Sequence, residues 1–249
     1  MAIDLAKMKQ RQANLTNKGS GGGSFWKPSD GTQTIRIVPS ADGDPFKDHH
    51  FHYNMGKSSV FCPKKNYGEE CPVCDLVREL YQRGDDESVE LARKLNTRQR
   101  FFSPVIVRGE ESLGIKIWGY GKTAYETLLG LVLNPDYGDI TCPESGTDLD
   151  LTYGKPPGAS FPQTKLTPKR KTSMMCEGQS PEECDEMLKT MPDFESLFER
   201  KSTAEIQKIL DNFMSGTAED DTPDTAAEVN SLEDPSSRVN KAFEELSGL

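Results

Sequence analysis

The stretch that decides the reading is Cys62-Pro63-Lys64-Lys65-Asn66-Tyr67-Gly68-Glu69-Glu70-Cys71-Pro72-Val73-Cys74. A Cys-x-x-Cys turn holds two thiolates on one tight loop, and Cys62 supplies a third nine residues earlier from the end of an expected strand. Tetrahedral zinc takes four ligands, so three sulfurs leave one place. The chain has three histidines, His49, His50 and His52, all just upstream of Cys62. A Cys3His site is the natural completion. His52, between Phe51 and Tyr53, is the first candidate. His50 shares its face on a strand, since side chains alternate, and His49 stays open. Four protein ligands leave no position for water, so such a zinc is structural. A Cys-x-x-Cys redox pair is the competing reading, but it needs neither Cys62 nor a histidine. The remaining cysteines, Cys142, Cys176 and Cys184, show no ligand pattern and read as ordinary thiols.

Outward from this knuckle, the pattern is of short strands with helices inserted between them. Thr34–Val38 alternates like a strand and stops at Pro39, and Phe51–Tyr53 reads as a second strand. Helices are expected at 75–81 and 87–95, where Leu76, Val77, Leu80, Val89 and Leu91 recur near the helical period. Phe101–Val107 and Gly114–Trp118 read as strands, 123–133 as a helix ended by Pro135, and 147–153 as a strand. Residues 154–168 are rich in Gly and Pro and read as a loop. Late helices are expected at 181–191 and 203–213, the second capped by Ser202 or Thr203. This order fits a mainly β chain with inserted helices, an α+β OB-fold barrel with an integral zinc-binding subdomain, better than a parallel α/β sheet.

Composition divides the chain into three parts. Residues 1–24 form a basic arm, with a short amphipathic helix over 1–17 and a GSGGGS linker; 25–215 form the core; 216–249 form an acidic tail expected to be disordered. The formal net charge is -10, yet the tail carries nine acidic and two basic residues, which leaves the remainder near neutrality. Residues 93–122 hold seven basic and two acidic groups, and 153–173 hold five basic and no acidic ones. Basic stretches beside an acidic tail suit a domain that binds a polyanion. There is no apolar run long enough to span a membrane and no secretory signal, so the six cysteines are expected in a reducing cytoplasm.

Two basic segments carry aromatic residues, Asn96–Arg108 and Lys116–Lys122. Single-stranded nucleic acid exposes base faces and phosphates, so a sequence-tolerant binder needs flat aromatic platforms interleaved with Arg or Lys. On that reasoning Arg98, Arg100, Arg108, Lys116, Lys122, Lys165 and Arg170 are candidate phosphate contacts. Tyr67, Tyr81, Phe102, Tyr120, Tyr153 and Phe161 are candidate stacking groups. One of Phe101 and Phe102 is expected to face the core, and Trp118 is an alternative core residue. The loop Tyr153–Lys165 presents Phe161 between lysines and runs into Lys169-Arg170-Lys171-Thr172-Ser173.

In order along the chain, Trp26-Lys27, Ile35–Ser40, the histidines with Cys62 and Cys71-Pro72-Val73-Cys74, Phe101–Arg108, Lys116–Lys122 and Thr141-Cys142-Pro143 resemble the single-stranded-DNA-binding, helix-destabilising proteins of T4-type bacteriophages. The resemblance covers roughly residues 25–175. It implies an OB fold with an integral Cys3His zinc, cooperative self-association along DNA, and an acidic tail that recruits replication and recombination proteins in the cytoplasm of an infected bacterium. One departure concerns the basic Lys-Arg-Lys-Ser-Thr motif, which in that family lies near the N-terminus. Here similar strings stand at Lys169–Ser173 and Arg200–Thr203. Another is that the histidine spacing to Cys62 is offset.

An enzyme is disfavoured. The sequence has no Gly-rich nucleotide loop, no Ser/His/Asp order and no open metal site, and its histidines gather at the zinc region, which removes the commonest general base. The alternative from another class is a zinc-ribbon adaptor that binds proteins and not DNA. The terminal Phe243–Leu249 segment has the look of a docking peptide.

Overall fold

The computed structural model describes residues 24–56, 59–189 and 191–215. The expected N-terminal helix, the Gly/Ser linker up to Gly23, and the acidic tail with its terminal peptide lie outside those residues.

Eight strands form one mixed sheet: β1 (Phe25–Trp26), β2 (Gly31–Ile37), β3 (Lys47–His52), β4 (Val60–Phe61), β5 (Arg98–Val107), β6 (Lys116–Tyr120), β7 (Gly146–Gly154) and β8 (Gln163–Ser173). The main path runs β1-β6-β5-β2-β7-β8. All neighbours are antiparallel except β1 and β6, which pair in parallel with Phe25 beside Ile117. One edge of β5 is divided. Its N-terminal half pairs with β3, placing Arg100 opposite His49 and Arg98 opposite Phe51, and its C-terminal half pairs with β2. Strand β4 adds to β3.

The strand pairs do not close on themselves, so the expected barrel is not established; what the pairing shows is a mixed α+β sheet. The expected loop over 154–168 is corrected in part. From Gln163 onward the chain is an eleven-residue edge strand, with Leu166 buried against the core. Pro168 is tolerated because an edge strand need not donate every N–H, and the pairing with β7 shifts register between Thr147 and Leu149, opposite that proline.

Helices α1 (Pro63–Tyr67), α2 (Pro72–Arg83) and α3 (Asp86–Leu95) are inserted between β4 and β5. α4 (Lys122–Val132) follows β6, and α5 (Pro181–Lys189) and α6 (Thr203–Met214) come late. Pro72 opens α2 at a position where its missing N–H costs nothing. Asp85 caps α3 by accepting from Ser88 N. Ser202 and Glu205 form a full capping box on α6.

The core has two principal parts because β5 serves both of its faces. Phe101, Val105 and Val107 pack with Ile35, Ile37, Trp118, Tyr120, Leu149, Leu151 and the α4 residues Ala124 and Leu128. Phe102 lies in a different cluster with Phe51, Phe61 and Ile117. Both members of the Phe101-Phe102 pair are therefore buried, on opposite faces. Fully burying each Leu, Ile or Phe stabilises by about 1.5–3 kcal/mol. The inserted helices own a separate core, in which Val73, Val77, Leu80, Ala92 and Leu95 meet Ile206 and Leu210 of α6 around the cysteines.

A third cluster gathers Val38, Ile106, Ile115 and Met175 with Met187 and Leu188 of α5. There Cys176 and Cys184 form a disulfide with Cα atoms 5.7 Å apart. This corrects the expectation of ordinary thiols, since a pair eight residues apart across a turn gives no sequence signal that separates it from two free cysteines. Cys142 is a free thiol.

Candidate metal centre and nucleic-acid interface

The cysteine turn is built by backbone chemistry. Cys62 caps α1, its Sγ accepting from Lys65 N at 3.4 Å. Asn66 clamps this turn to β3: its Oδ1 accepts from His50 N at 2.9 Å, and its Nδ2 donates to the carbonyls of His50 at 2.9 Å and Cys62 at 2.8 Å. Cys62 N in turn donates to His50 O. Gly68 ends α1 with φ of 75°, a left-handed conformation that a β-carbon would strain. The chain then returns to Cys71, the cap of α2, which sends Cys74 back toward Cys62.

Four side chains converge. The ligand atoms of His52, Cys62, Cys71 and Cys74 all lie within 4.8 Å of one another. Cys62 Sγ and Cys74 Sγ are 3.5 Å apart, and His52 Nε2 stands 3.4 Å from Cys71 Sγ and 3.5 Å from Cys74 Sγ. Zinc–sulfur bonds of about 2.3 Å and a zinc–nitrogen bond of about 2.0–2.1 Å give tetrahedral edges of about 3.8 Å between sulfurs and about 3.6 Å from sulfur to nitrogen. The donor set fits such an ion in kind, number and spacing. His52 Nδ1 is 2.8 Å from Leu95 O. A carbonyl only accepts, so the proton sits on Nδ1 and Nε2 is left to face the sulfurs.

Considered as protein groups alone, the cluster is in electrostatic conflict. Burial pulls the His52 imidazole down, but hydrogen bonds to Cys62, Cys71 and Leu95 outweigh it and push it up to about 9. Hydrogen bonds from Cys62 and Cys74 hold the Cys71 thiol far below its ordinary value, while contacts to Cys62 and Cys71 push Cys74 up. The Cys71 and Cys74 sulfurs are thus driven in opposite directions by their mutual proximity. A divalent cation resolves that competition by taking all three as thiolates. Of the three candidate histidines, the structure brings His52 to the cysteines. His50 contributes backbone to the turn, and His49 joins an aromatic cluster, its ring 5.0 Å from Phe61 and 5.3 Å from Phe194.

The candidate DNA-contact residues divide into three groups. Tyr67 and Tyr81 are exposed on the inserted helices, at 48% and 42% of their surface. Arg200 lies 4.3 Å over the Tyr67 ring and pairs with Glu69. Tyr81 borders a groove of about 450 Å³ together with Lys64, Lys65, Arg78, Asn96 and Thr97. Cys74, Arg78 and Tyr81 follow one another at helical spacing, so one face of α2 joins the metal cluster to this groove. Asp75 partly offsets its charge, pairing with Lys64 at 3.0 Å and Arg78 at 3.3 Å. The groove lysines and Arg78 were not among the sequence candidates. The signal was present: two lysines inside the cysteine spacer, and a cation and an aromatic at i+4 and i+7 from Cys74.

A second group lies on the sheet. Lys165 and Arg170 are exposed on β8, and Lys122 is exposed at the start of α4, 3.7 Å from Glu126. Arg98, Lys116, Tyr153 and Phe161 are half-buried. Burial lowers the Lys116 ammonium and raises the Tyr153 phenol.

The third group requires correction. Tyr120 is 1% exposed and shares a hydrogen bond of 2.7 Å with Ser103, so its ring is core and its face is unavailable to a base. Arg108 spends its guanidinium inside the protein. It donates to both Asp148 oxygens at 3.0 and 2.9 Å and to the carbonyls of Met174 and Met175 at 2.8 and 2.7 Å. Asp148 also faces the fully buried Arg36 at 3.2 Å. Arg108 is thus a clamp on the end of β8, not a phosphate ligand. Arg100 is 7% exposed, with its charge penalised by burial. Phe102 is likewise 7% exposed, covered by Phe25, Phe194 and Phe198. As the chain stands, neither offers a surface.

Fold and site together define an α+β chain whose helical insertion carries a Cys3His cluster that could hold a metal ion, beside a basic, aromatic surface. The family model described as "gp32 DNA binding protein like" matches residues 29–215. That is three quarters of the chain, and the chain belongs to this family. It is a family of DNA-binding proteins. No curated protein matches the chain. Among the described residues, no helix is long and apolar enough to cross a membrane.

Proposed function

We propose that this protein binds single-stranded DNA in a sequence-tolerant and cooperative manner, serving phage DNA replication, recombination and repair in the cytoplasm of the bacterial host. The observation that carries the reading is the groove on the inserted helices. It sets an exposed tyrosine among three cations directly beside the Cys3His cluster, in a chain of a DNA-binding family. Bases stack on Tyr81 and Tyr67, and phosphates meet Lys64, Lys65, Arg78 and Arg98. The path continues to Tyr153, Phe161 and the exposed cations of β8, Lys165 and Arg170. Each stacked base contributes roughly 1–3 kcal/mol, and stacking tolerates any base because each has a flat face.

In this reading the ion is zinc, held by His52, Cys62, Cys71 and Cys74, and it supplies a structural cross-link. The protein's own residues do the binding. The sheet is the OB-type core of a domain spanning 25–215, preceded by the basic arm of 1–24. The acidic tail of 216–249 recruits replication and recombination proteins and competes for the groove. Titration with oligo-dT tests the reading: quenching of tyrosine and tryptophan fluorescence is expected. An absent quench with zinc in place favours the zinc-ribbon adaptor instead.

A further inference from the structure

Residues 191–201 cross the outer face of β3 and β5 between α5 and α6. Phe194 and Phe198 lie on the cluster formed by His49, Phe51, Phe61 and Phe102. Their geometry includes parallel stacking: Phe194 on His49 at 5.3 Å and 26°, and Phe198 on Phe61 at 5.9 Å and 20°. This is the β5 face opposite the main core, and Arg98 and Arg100 stand on it, opposite Phe51 and His49 in the register.

The covering segment reads Asp193-Phe194-Glu195-Ser196-Leu197-Phe198-Glu199. Aromatic rings alternate with carboxylates, which is the chemical pattern of bases alternating with phosphates. The attachment is also unlike that of a core element. Among the described residues, the backbone hydrogen bonds recorded for 191–201 are local: Met191 N to Leu188 O, Ser196 N to Asp193 O and Leu197 N to Phe194 O. Among the described residues no strand pairing joins the segment to the sheet, and Phe194 and Phe198 remain half-buried. Its ends are anchored, by Met187 and Leu188 of α5 packed on Val38, Ile106 and Ile115 before it and by Ile206 and Leu210 of α6 after it.

We propose that residues 193–199 are a built-in mimic of single-stranded DNA, occupying a second base-stacking site made of His49, Phe61 and Phe102 flanked by Arg98 and Arg100, and that bound DNA displaces them. The inference rests on the single-stranded-DNA reading above and extends it. Because the strap is tethered at both ends, it competes at a high effective concentration. Affinity is therefore held below what the exposed surface supports, and lifting the strap breaks side-chain contacts without breaking the sheet. It also gives Phe102 and Arg100, buried as the chain stands, a role in the bound state.

The test uses the full zinc-loaded chain and oligo-dT. Phe194→Ala combined with Phe198→Ala is expected to lower Kd about tenfold, and an unchanged or raised Kd in a variant that keeps its zinc and its thermal transition overturns the proposal. A second measurement leaves the chain otherwise unaltered: 4-fluorophenylalanine at position 198, followed by fluorine NMR. Saturating oligo-dT is expected to move the resonance to a solvent-exposed position, and an unmoved resonance overturns the proposal whatever the variant does. If the unaltered chain fails to bind oligo-dT, the single-stranded-DNA reading falls and the strap with it. If it binds while the resonance stays fixed, the strap alone falls.

Discussion

Stripping the metal from the Cys3His cluster should unfold the helical insertion and leave the sheet. The insertion lies between β4 and β5, and its core is small: Val73, Val77, Leu80, Ala92 and Leu95, closed by Ile206 and Leu210. Cys62 and Cys71 belong to that same core, fully buried. A structural zinc in a small module contributes about 10–16 kcal/mol of apparent binding energy, while a whole domain is stable by only about 5–15 kcal/mol. A third of the metal's contribution, about 4 kcal/mol, corresponds to roughly a thousandfold change in opening equilibrium. Hydrogen exchange read by mass spectrometry, with and without a chelator, measures this directly. Peptides covering α2 and α3, of 12 and 10 residues, should lose at least about a thousandfold protection. Peptides from α6 should lose part of theirs, since Ile206 and Leu210 pack on the insertion. Peptides from β2, β5 and β7 should keep theirs. Unchanged protection of α2 in protein shown to be metal-free would refute the reasoning.

Other perturbations probe separate parts of the account. Asp148→Asn leaves Arg36 and Arg108 without their shared carboxylate; breaking a buried pair costs about 3–5 kcal/mol, so calorimetry should show Tm lower by roughly 6–20 °C, and a change under about 2 °C would contradict the clamp. Gly146→Ala places a β-carbon 2.6 Å from the carbonyls of Ile140 and Cys142; denaturant unfolding should show a loss of about 1–3 kcal/mol. Tyr81→Ala should weaken oligo-dT binding by about 1–3 kcal/mol, or roughly 5- to 150-fold, without altering zinc content. Lys65→Ala should reduce the salt dependence of binding by about 0.7 log units per log unit of salt.

What was legible in the sequence follows from how each signal arises. The metal cluster could be read because ligand chemistry fixes residue type and spacing together. The identity of the histidine could not, because His50 and His52 share a strand face, and it is the position of Leu95 beside β3 that singles out one ring.

 The Leu95 carbonyl fixes the His52 tautomer, and no pattern in the sequence announces a carbonyl 43 residues away. Helices α2, α3 and α4 showed their apolar period. Strand β8 was hidden because Lys169-Arg170-Lys171 and Pro168 mask its alternation, with Leu166 alone turned inward. Aromatic and basic residues were harder to sort, because a ring that stacks on a base and a ring that fills a core have the same composition. Tyr120 and Arg108 went inward since Ser103 and Asp148 meet them there. Tyr67 and Tyr81 stayed outside since they stand on the outer faces of α1 and α2. Phe194 and Phe198 drew no notice in the sequence, because their role depends on which sheet face they cover.

The most direct test of the central claim, a zinc-pinned surface that binds single-stranded DNA, is the salt dependence of oligo-dT affinity for the zinc-loaded chain. With phosphate contacts from Lys64, Lys65, Arg78, Arg98, Lys165 and Arg170, log K should fall linearly with log salt, with a slope near -0.7 for each phosphate neutralised, and so about -4 if all six engage. A slope near zero, or an affinity that does not register at low salt, would contradict the account.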